Sequence, residues 1–271
     1  MHKNVEQFWQ ALKVDSGYQS PFRPTLFKQR FAGLTTLLFN TRMIKRWVVE
    51  GLLAALGNYN NEKWALASVK IIKTIESVGG RLVVSGLKET YNHQGPLVFI
   101  ANHMSLLETM ILPSILLAAN RVTFVVKEEL LHYPIVGILM RALDLIAVSR
   151  LNPRQDLKVV LQDGQAFLAD GCSVVVFPQA TRSTAFDTQS FNSLGVKLAA
   201  RSGVPVVPIA IKTDFQGNGK WIKDVGPVDP NKTLYFKFGK PIPVEGSGRE
   251  THRKVVDFIA GSLSDWGVAV K

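Results

Sequence analysis

In Phe99-Ile100-Ala101-Asn102-His103-Met104-Ser105-Leu106-Leu107-Glu108-Thr109 an apolar run ends at a histidine, and a carboxylate follows five residues later. Residues 96–100 have the length and β-branched content of a buried strand, and residues 106–117 have the length and apolar content of a helix. His103 therefore stands where a strand gives way to a helix. In an open α/β sheet the carboxyl end of a strand faces the crevice where ligands bind. A neutral histidine in that place serves as a general base when one imidazole nitrogen donates to a carboxylate and the other is left to take a proton. Glu108 is the candidate orienter. It has a structural use as well, because Ser105 as a helix N-cap with Glu108 three residues on makes a capping-box pattern, and the sequence leaves both uses open.

Outward from this stretch, strand and helix patterns alternate. Short β-branched runs at 122–126, 143–148, 173–177 and 204–211 are separated by helical patterns around 105–118, 134–141, 153–169 and 192–201. The alternation predicts an α/β fold with a mostly parallel central sheet and helices on both faces. Asn152-Pro153 starts the helix at 153–169 and Gly171 stops it. Residues 81–86 and Thr233–Phe238 add strands, 92–95 a turn, and 246–266 a closing helix.

The 271 residues, 46% of them hydrophobic, suffice for one α/β domain with a real core and an appendage. A single cysteine, Cys172, excludes an internal disulfide framework and a cysteine-rich zinc site, and beside an apolar run it reads as an inert thiol in a reducing compartment. Residues 1–7 lack the apolar centre of a secretory signal. No stretch offers roughly 18 or more apolar residues free of charge, so no membrane-spanning segment is expected.

A net charge of +11 calls for an anionic partner, whether nucleic acid, anionic lipid or acidic substrate. Residues 23–57 carry Arg23, Lys28, Arg30, Arg42, Lys45 and Arg46 against the single acid Glu50, interleaved with Phe27, Phe31, Leu34, Leu37, Leu38, Trp47, Val48, Leu52 and Leu53. This basic amphipathic pattern fits a helix, continuous or broken near Asn40, that lies in the headgroup boundary of a membrane; it equally fits a helix packed on the domain. A second helix over Asn61–Ser77, with Trp64, Ala67, Ile71 and Ile75 at helical spacing, makes a hairpin with it. Residues 1–22 show weak periodicity and read as a loosely docked lead-in. No reading helix, zinc module or aromatic RNA platform accompanies the charge, so nucleic acid is not an expected partner.

Four blocks follow one another in the chain: Asn102-His103 with Glu108; Lys127-Glu128-Glu129-Leu130 with Pro134, Gly137 and Arg150; Phe177-Pro178-Gln179-Ala180-Thr181-Arg182-Ser183; and Val204-Pro205-Val206-Val207-Pro208-Ile209. Together they resemble the ordered motifs of the glycerolipid acyltransferase family, typified by the bacterial 1-acylglycerol-3-phosphate acyltransferases, over about residues 80 to 215. The resemblance implies transfer of a fatty acyl group from an acyl thioester, acyl-CoA or acyl-carrier protein as co-substrate and without a cofactor or metal, to the free hydroxyl of a lysophospholipid. Attack would be direct, with His103 as base and Glu108 as its orienter. No Gly-x-Ser-x-Gly elbow is present and Ser105 reads as a cap, so no acyl-enzyme is expected.

Lys127, Arg150 and Arg182 each follow a predicted strand and can converge on the edge where His103 stands, as ligands for an acceptor phosphate. Thr181 and Ser183 add hydroxyl donors beside Arg182, and Gln179 adds hydrogen-bonding capacity. Two positions depart from the family's pattern: Glu108 stands where an aspartate is usual, and Gln179-Ala180 where Glu-Gly is usual. The longer acid keeps the orienting role if its helix sits slightly farther away, and the glutamine makes the pocket more favourable to anions. Since the family often carries an N-terminal membrane-associating segment, the resemblance implies a lead-in at 1–22, an amphipathic membrane-associating hairpin at 23–78 and an α/β acyltransferase domain at 79–271. The implied place is the cytoplasmic face of the inner membrane, on the phospholipid surface. A lipid-binding member of the fold without catalysis, or an acyltransferase for another lysolipid, are the alternative readings. Gly217-Asn218-Gly219 with Lys220-Trp221-Ile222-Lys223 reads as a loop able to touch the membrane or the donor.

Overall fold

A computed structural model describes residues 2–21, 32–179, 181–219 and 224–271. Among them, β1 (Tyr18–Gln19), β2 (Arg81–Ser85), β3 (Val98–Ala101), β4 (Val122–Lys127), β5 (Ile146–Val148), β6 (Ser173–Val176), β7 (Val206–Lys212) and β8 (Thr233–Phe238) form one sheet in the spatial order β1-β2-β8-β7-β3-β6-β4-β5. β3 pairs in parallel with both β6 and β7, β6 with β4, and β4 with β5. The carboxyl ends of β3, β6, β4 and β5 therefore share one edge. Only β8 against β7 and β1 against β2 run antiparallel among the described strands. β3 and β6 are buried along their whole length, as strands covered on both faces must be, which is why they read as continuous apolar runs.

The covering helices are α1 (Lys3–Val14), α2 (Ala32–Ala55), α3 (Asn61–Ser77), α4 (Lys88–Asn92), α5 (Leu107–Leu116), α6 (Val136–Arg141), α7 (Pro153–Ala169), α8 (Leu194–Ser202) and α9 (Arg249–Asp265). Successive residues of β3 feed opposite cores, as the period of two along a strand requires. Phe99 and Ala101 pack with α1, α3 and α5, while Val98 and Ile100 pack with α7, α8 and α9.

The N-terminal region differs from the expected loose lead-in. Val5, Phe8 and Leu12 recur at helical spacing on α1 and are buried, and Trp9 Nε1 donates to the Ser114 carbonyl at 2.8 Å. β1 then pairs with β2. The stripe is short and set among polar residues, which is why it reads weakly. α3 lies within the same core as α5 and the sheet, and Ser114 N donates to Ser68 Oγ at 3.0 Å. α2 is continuous through Asn40 and runs antiparallel to α3, where Arg46 Nε donates to Thr74 Oγ1 at 3.0 Å and Arg42 reaches Ser77 Oγ. Phe39 and Met43 face inward, whereas Leu34, Leu37, Ile44, Val48 and Leu52 are 44–62% exposed. Among the described residues no helix is long and apolar enough to cross a membrane. Arg23, Phe27, Lys28, Arg30 and Phe31 of the expected helix, and Lys220-Trp221-Ile222-Lys223 of the expected loop, lie outside the described residues.

Candidate active site

β3 ends at Ala101, and the next side chain ties that end to its neighbour. Asn102 Nδ2 donates to the Ile211 carbonyl and Ile211 N donates to Asn102 Oδ1, each at 2.8 Å. His103 thus leaves the sheet at a fixed point. The loop after β6 then holds its backbone on both sides: His103 N donates to Gln179 Oε1 at 2.7 Å, and Ser183 N donates to the His103 carbonyl at 3.0 Å. The imidazole lies against Phe177, ring centroids 4.7 Å apart at 31°.

His103 Nδ1 is 2.9 Å from Glu108 Oε1, and because an ionised carboxylate only accepts, Nδ1 carries the proton. Glu108 is enclosed by donors. Oε1 also accepts from Met104 N at 2.6 Å, and Oε2 accepts from Ser105 Oγ at 2.9 Å and Thr213 Oγ1 at 2.6 Å. Ser105 N lies 2.8 and 3.0 Å from the two oxygens. Burial alone would raise this carboxyl; the hydrogen bond and charge of His103, the Thr213 hydroxyl and a backbone hydrogen bond outweigh it and hold Glu108 below the ordinary carboxylate value. Glu108 is fully buried while the His103 side chain keeps 14% exposure, and Nε2 makes no hydrogen bond among the described residues. The imidazole is therefore oriented on one side and open on the other.

Both uses of Glu108 are realised together. It orients His103 and reaches back to Ser105 N, while Ser105 Oγ accepts from Leu107 N at 3.1 Å. The helix proper starts at Leu107, one residue later than a Ser105 cap would put it. Ser105 Oγ also sits 2.9 Å from Thr213 Oγ1, so its hydroxyl is engaged and not poised as a nucleophile. Burial pushes the Cys172 thiol up to about 11, in keeping with an inert side chain.

The remaining predicted residues divide by strand. Gln179 is 6% exposed with its oxygen engaged by His103 N, so it braces the backbone of His103. Arg182 is half-buried, with Nη1 paired to Asp224. Ser183 touches His103 through its backbone while its Oγ accepts from Ala185 N at 3.2 Å, and Thr181 beside Arg182 is exposed. Lys127 ends β4 and pairs with Glu129. Arg150 follows β5 in a left-handed conformation at φ 60°, its N donating to Asp156 Oδ2 at 2.8 Å. Strands lie ~4.8 Å apart, so the ends of β6, β4 and β5 stand at roughly 5, 10 and 14 Å from that of β3 in the observed order. The structure gathers His103, Glu108, Gln179, Arg182 and Ser183 at adjacent strand ends and sets Lys127 and Arg150 farther along the same edge.

Thr213 escapes sequence reasoning, because a lone threonine carries no motif. Its one signal is that it directly follows β7, the strand beside β3. Asp224 escapes it as well, since nothing local links it to Arg182.

Residues 81–212 match the model of the Acyltransferase family. The chain is 28% identical to the 1-acyl-sn-glycerol-3-phosphate acyltransferase of Pseudomonas aeruginosa over 188 residues, which are 69% of this chain and 68% of that protein. It is 30% identical to a chloroplastic 1-acyl-sn-glycerol-3-phosphate acyltransferase of Arabidopsis thaliana over 140 residues, 52% of this chain but only 37% of that one. The fold is similar to the crystal structure of the 1-acyl-sn-glycerophosphate (LPA) acyltransferase PlsC from Thermotoga maritima, with a TM-score of 0.64 at 22% identity, over 89% of this chain and 98% of that chain. The matched span runs from β2 to the end of β7 and contains the strand ends, the His103–Glu108 pair and the loop that braces it, so the likeness to the Acyltransferase family falls on the part of the chain that builds the site.

Proposed function

We propose that this chain moves a fatty acyl group from an acyl thioester, acyl-CoA or acyl-carrier protein, to the free hydroxyl of 1-acylglycerol-3-phosphate, giving phosphatidic acid. The observation that carries this reading is the His103 Nδ1–Glu108 pair with Nε2 open at the strand-end edge. Nε2 takes the acceptor's hydroxyl proton as the oxygen bonds to the thioester carbonyl carbon. The tetrahedral oxyanion then collapses, the carbon–sulfur bond breaks, and the departing sulfur receives the proton from His103. Glu108 holds the tautomer and offsets the imidazolium charge that forms in between. Arg182, one strand away, supplies a guanidinium fork for the acceptor phosphate, and Lys127 and Arg150 add positive potential along the same edge. The activity named for the relatives from Pseudomonas aeruginosa and Arabidopsis thaliana supports this choice of acceptor.

The proposed place of action is the phospholipid surface at the cytoplasmic face of the inner membrane. The outward apolar face of α2, with Leu37, Val48 and Leu52 flanked by exposed Lys45, supports docking there. Arg42 and Arg46 contribute less to such a surface than their sequence position suggests, because both reach toward α3.

The test incubates the purified chain and its His103→Ala form with lysophosphatidic acid in mixed micelles plus palmitoyl-CoA or palmitoyl-carrier protein, with phosphatidic acid read by mass spectrometry. Product from the parent alone is expected. Parental rates from His103→Ala would sink the base assignment, and silence of the parent across a panel of lysolipids would leave lipid binding without catalysis.

A further inference from the structure

Arg182 has a carboxylate partner that no motif marks. Its Nη1 pairs with Asp224, the two side chains keeping 22% and 29% exposure, and its Nε and Nη2 make no hydrogen bond among the described residues. One edge of the guanidinium is therefore held while the other is open to an anion. An arginine without such a partner samples many rotamers, and ordering it when ligand arrives weakens binding.

The segment that carries Asp224 is itself fastened. Gln216 Nε2 donates to the Asp224 carbonyl at 3.1 Å and lies 3.3 Å from Asn40 Oδ1. Asn40 Nδ2 donates to the Gly226 carbonyl at 3.0 Å, and Val228 N donates to Thr36 Oγ1 at 3.2 Å. A Cβ on Gly226 would stand 1.9 Å from the Gly217 carbonyl oxygen, so the two arms of the loop are closed against each other with no room for a side chain. Asn40 and Thr36 belong to α2. A continuous path of contacts thus runs from α2 through this loop to Arg182.

We propose that Asp224 is a positioning residue for the acceptor: it orients Arg182 toward the acceptor phosphate, and α2 holds Asp224 in place through Asn40 and Gln216. The inference rests on the acceptor reading given above. The carboxylate takes one edge of the guanidinium and the phosphate the other, so Asp224 acts on acceptor binding and not on proton transfer.

The test measures kcat and acceptor KM with lysophosphatidic acid at saturating palmitoyl-CoA for the parent, Arg182→Ala, Asp224→Ala, Asp224→Asn, Asp224→Glu, Asn40→Ala and the double variant Arg182→Ala/Asp224→Ala. Asp224→Ala and Asp224→Asn should each raise acceptor KM about tenfold, the size of coupling between contacting charged groups, with kcat and donor KM near parental values. Asp224→Glu should restore most of the loss, Asn40→Ala should raise KM about threefold, and the double variant should match Arg182→Ala alone. An unchanged acceptor KM in the Asp224 variants, with Arg182→Ala still raising it, overturns this inference and leaves the acceptor reading standing. A lowered KM also overturns it, because Asp224 would then compete with the phosphate. If Arg182→Ala leaves acceptor KM unchanged, the acceptor role of Arg182 fails, and this inference with it.

Discussion

Two side chains at adjacent strand ends, His103 and Arg182, each meet a carboxylate, and the two pairs are built in opposite ways. Glu108 is fully buried and takes donors from His103, Met104, Ser105 and Thr213; only Thr213 comes from outside the same loop and helix start. Asp224 keeps 29% exposure, and its side chain meets Arg182 at a single guanidinium nitrogen, brought there by a loop that hangs on α2. The enclosed pair sits in low dielectric, where the Glu108 carboxylate and its donors interact strongly; the edge pair is reached by solvent and its charges are screened. Proton transfer needs a fixed base, whereas acceptor recognition needs a surface that a headgroup can reach. On the proposed function, the contrast separates an enclosed half that does the chemistry from an exposed half that binds the acceptor.

Glu108→Gln strikes that division hardest. The amide no longer offsets the charge on His103 and can turn its NH2 toward Nδ1, so kcat should fall roughly 10²–10⁴-fold with acceptor KM little changed, as measured by phosphatidic acid formation. Gln179→Leu should come next. It leaves the His103 N–H buried without its acceptor, which should lower stability by about 1–3 kcal/mol in urea denaturation and reduce kcat as the base loosens, while Gln179→Glu keeps an acceptor and should stay closer to the parent. Arg182→Lys tests the other half: the charge stays and the fork is lost, so acceptor KM should rise about fivefold at near-parental kcat. A loss in kcat instead would erase the division between the halves.

How much of this could be read in advance follows from how far apart the interacting residues lie in the chain. The His103–Glu108 pair was legible because five residues and one strand-to-helix junction contain it. The ends of α7 were legible because Asn152 caps it, with its side chain accepting from Arg154 and Gln155, and Pro153 and Gly171 punctuate it. The shared edge of Lys127, Arg150 and Arg182 followed from parallel strands, but their distances from His103 did not, since spatial order depends on which crossover lands where. Gln179 shows a different limit: its residue type announced hydrogen bonding, and only the fold could say that the partner is the backbone of His103. On α2, Phe39 and Met43 are core while Leu37 and Leu52 are exposed, and nothing in residue type separates them. Thr213 and Asp224 were invisible because sheet pairing and loop closure bring them in from far along the chain.

The smallest expected effect is a difference of slope in stability against pH, and it tests whether the enclosed pair holds a true anion. The carboxyl of Glu108 lies below its ordinary value in the fold, so the unfolded chain, with a value of about 4.3, binds the proton more readily than the native one. Above that unfolded value the carboxylate is ionised in both states and its donors stabilise the fold in full. As pH falls through it, the unfolded chain is protonated first and stability begins to drain away, and the loss is complete only once the lower folded value has been passed. Glu108→Gln has nothing to titrate at this position. The stability gap between parent and Glu108→Gln should therefore be flat near neutrality and shrink on acidification below about pH 5, as urea midpoints taken across that range would record. A gap that stays constant or widens into acid would mean that Glu108 is already protonated in the native state. The donors around it would then enclose a neutral acid, and the contrast with Asp224 would be one of burial alone.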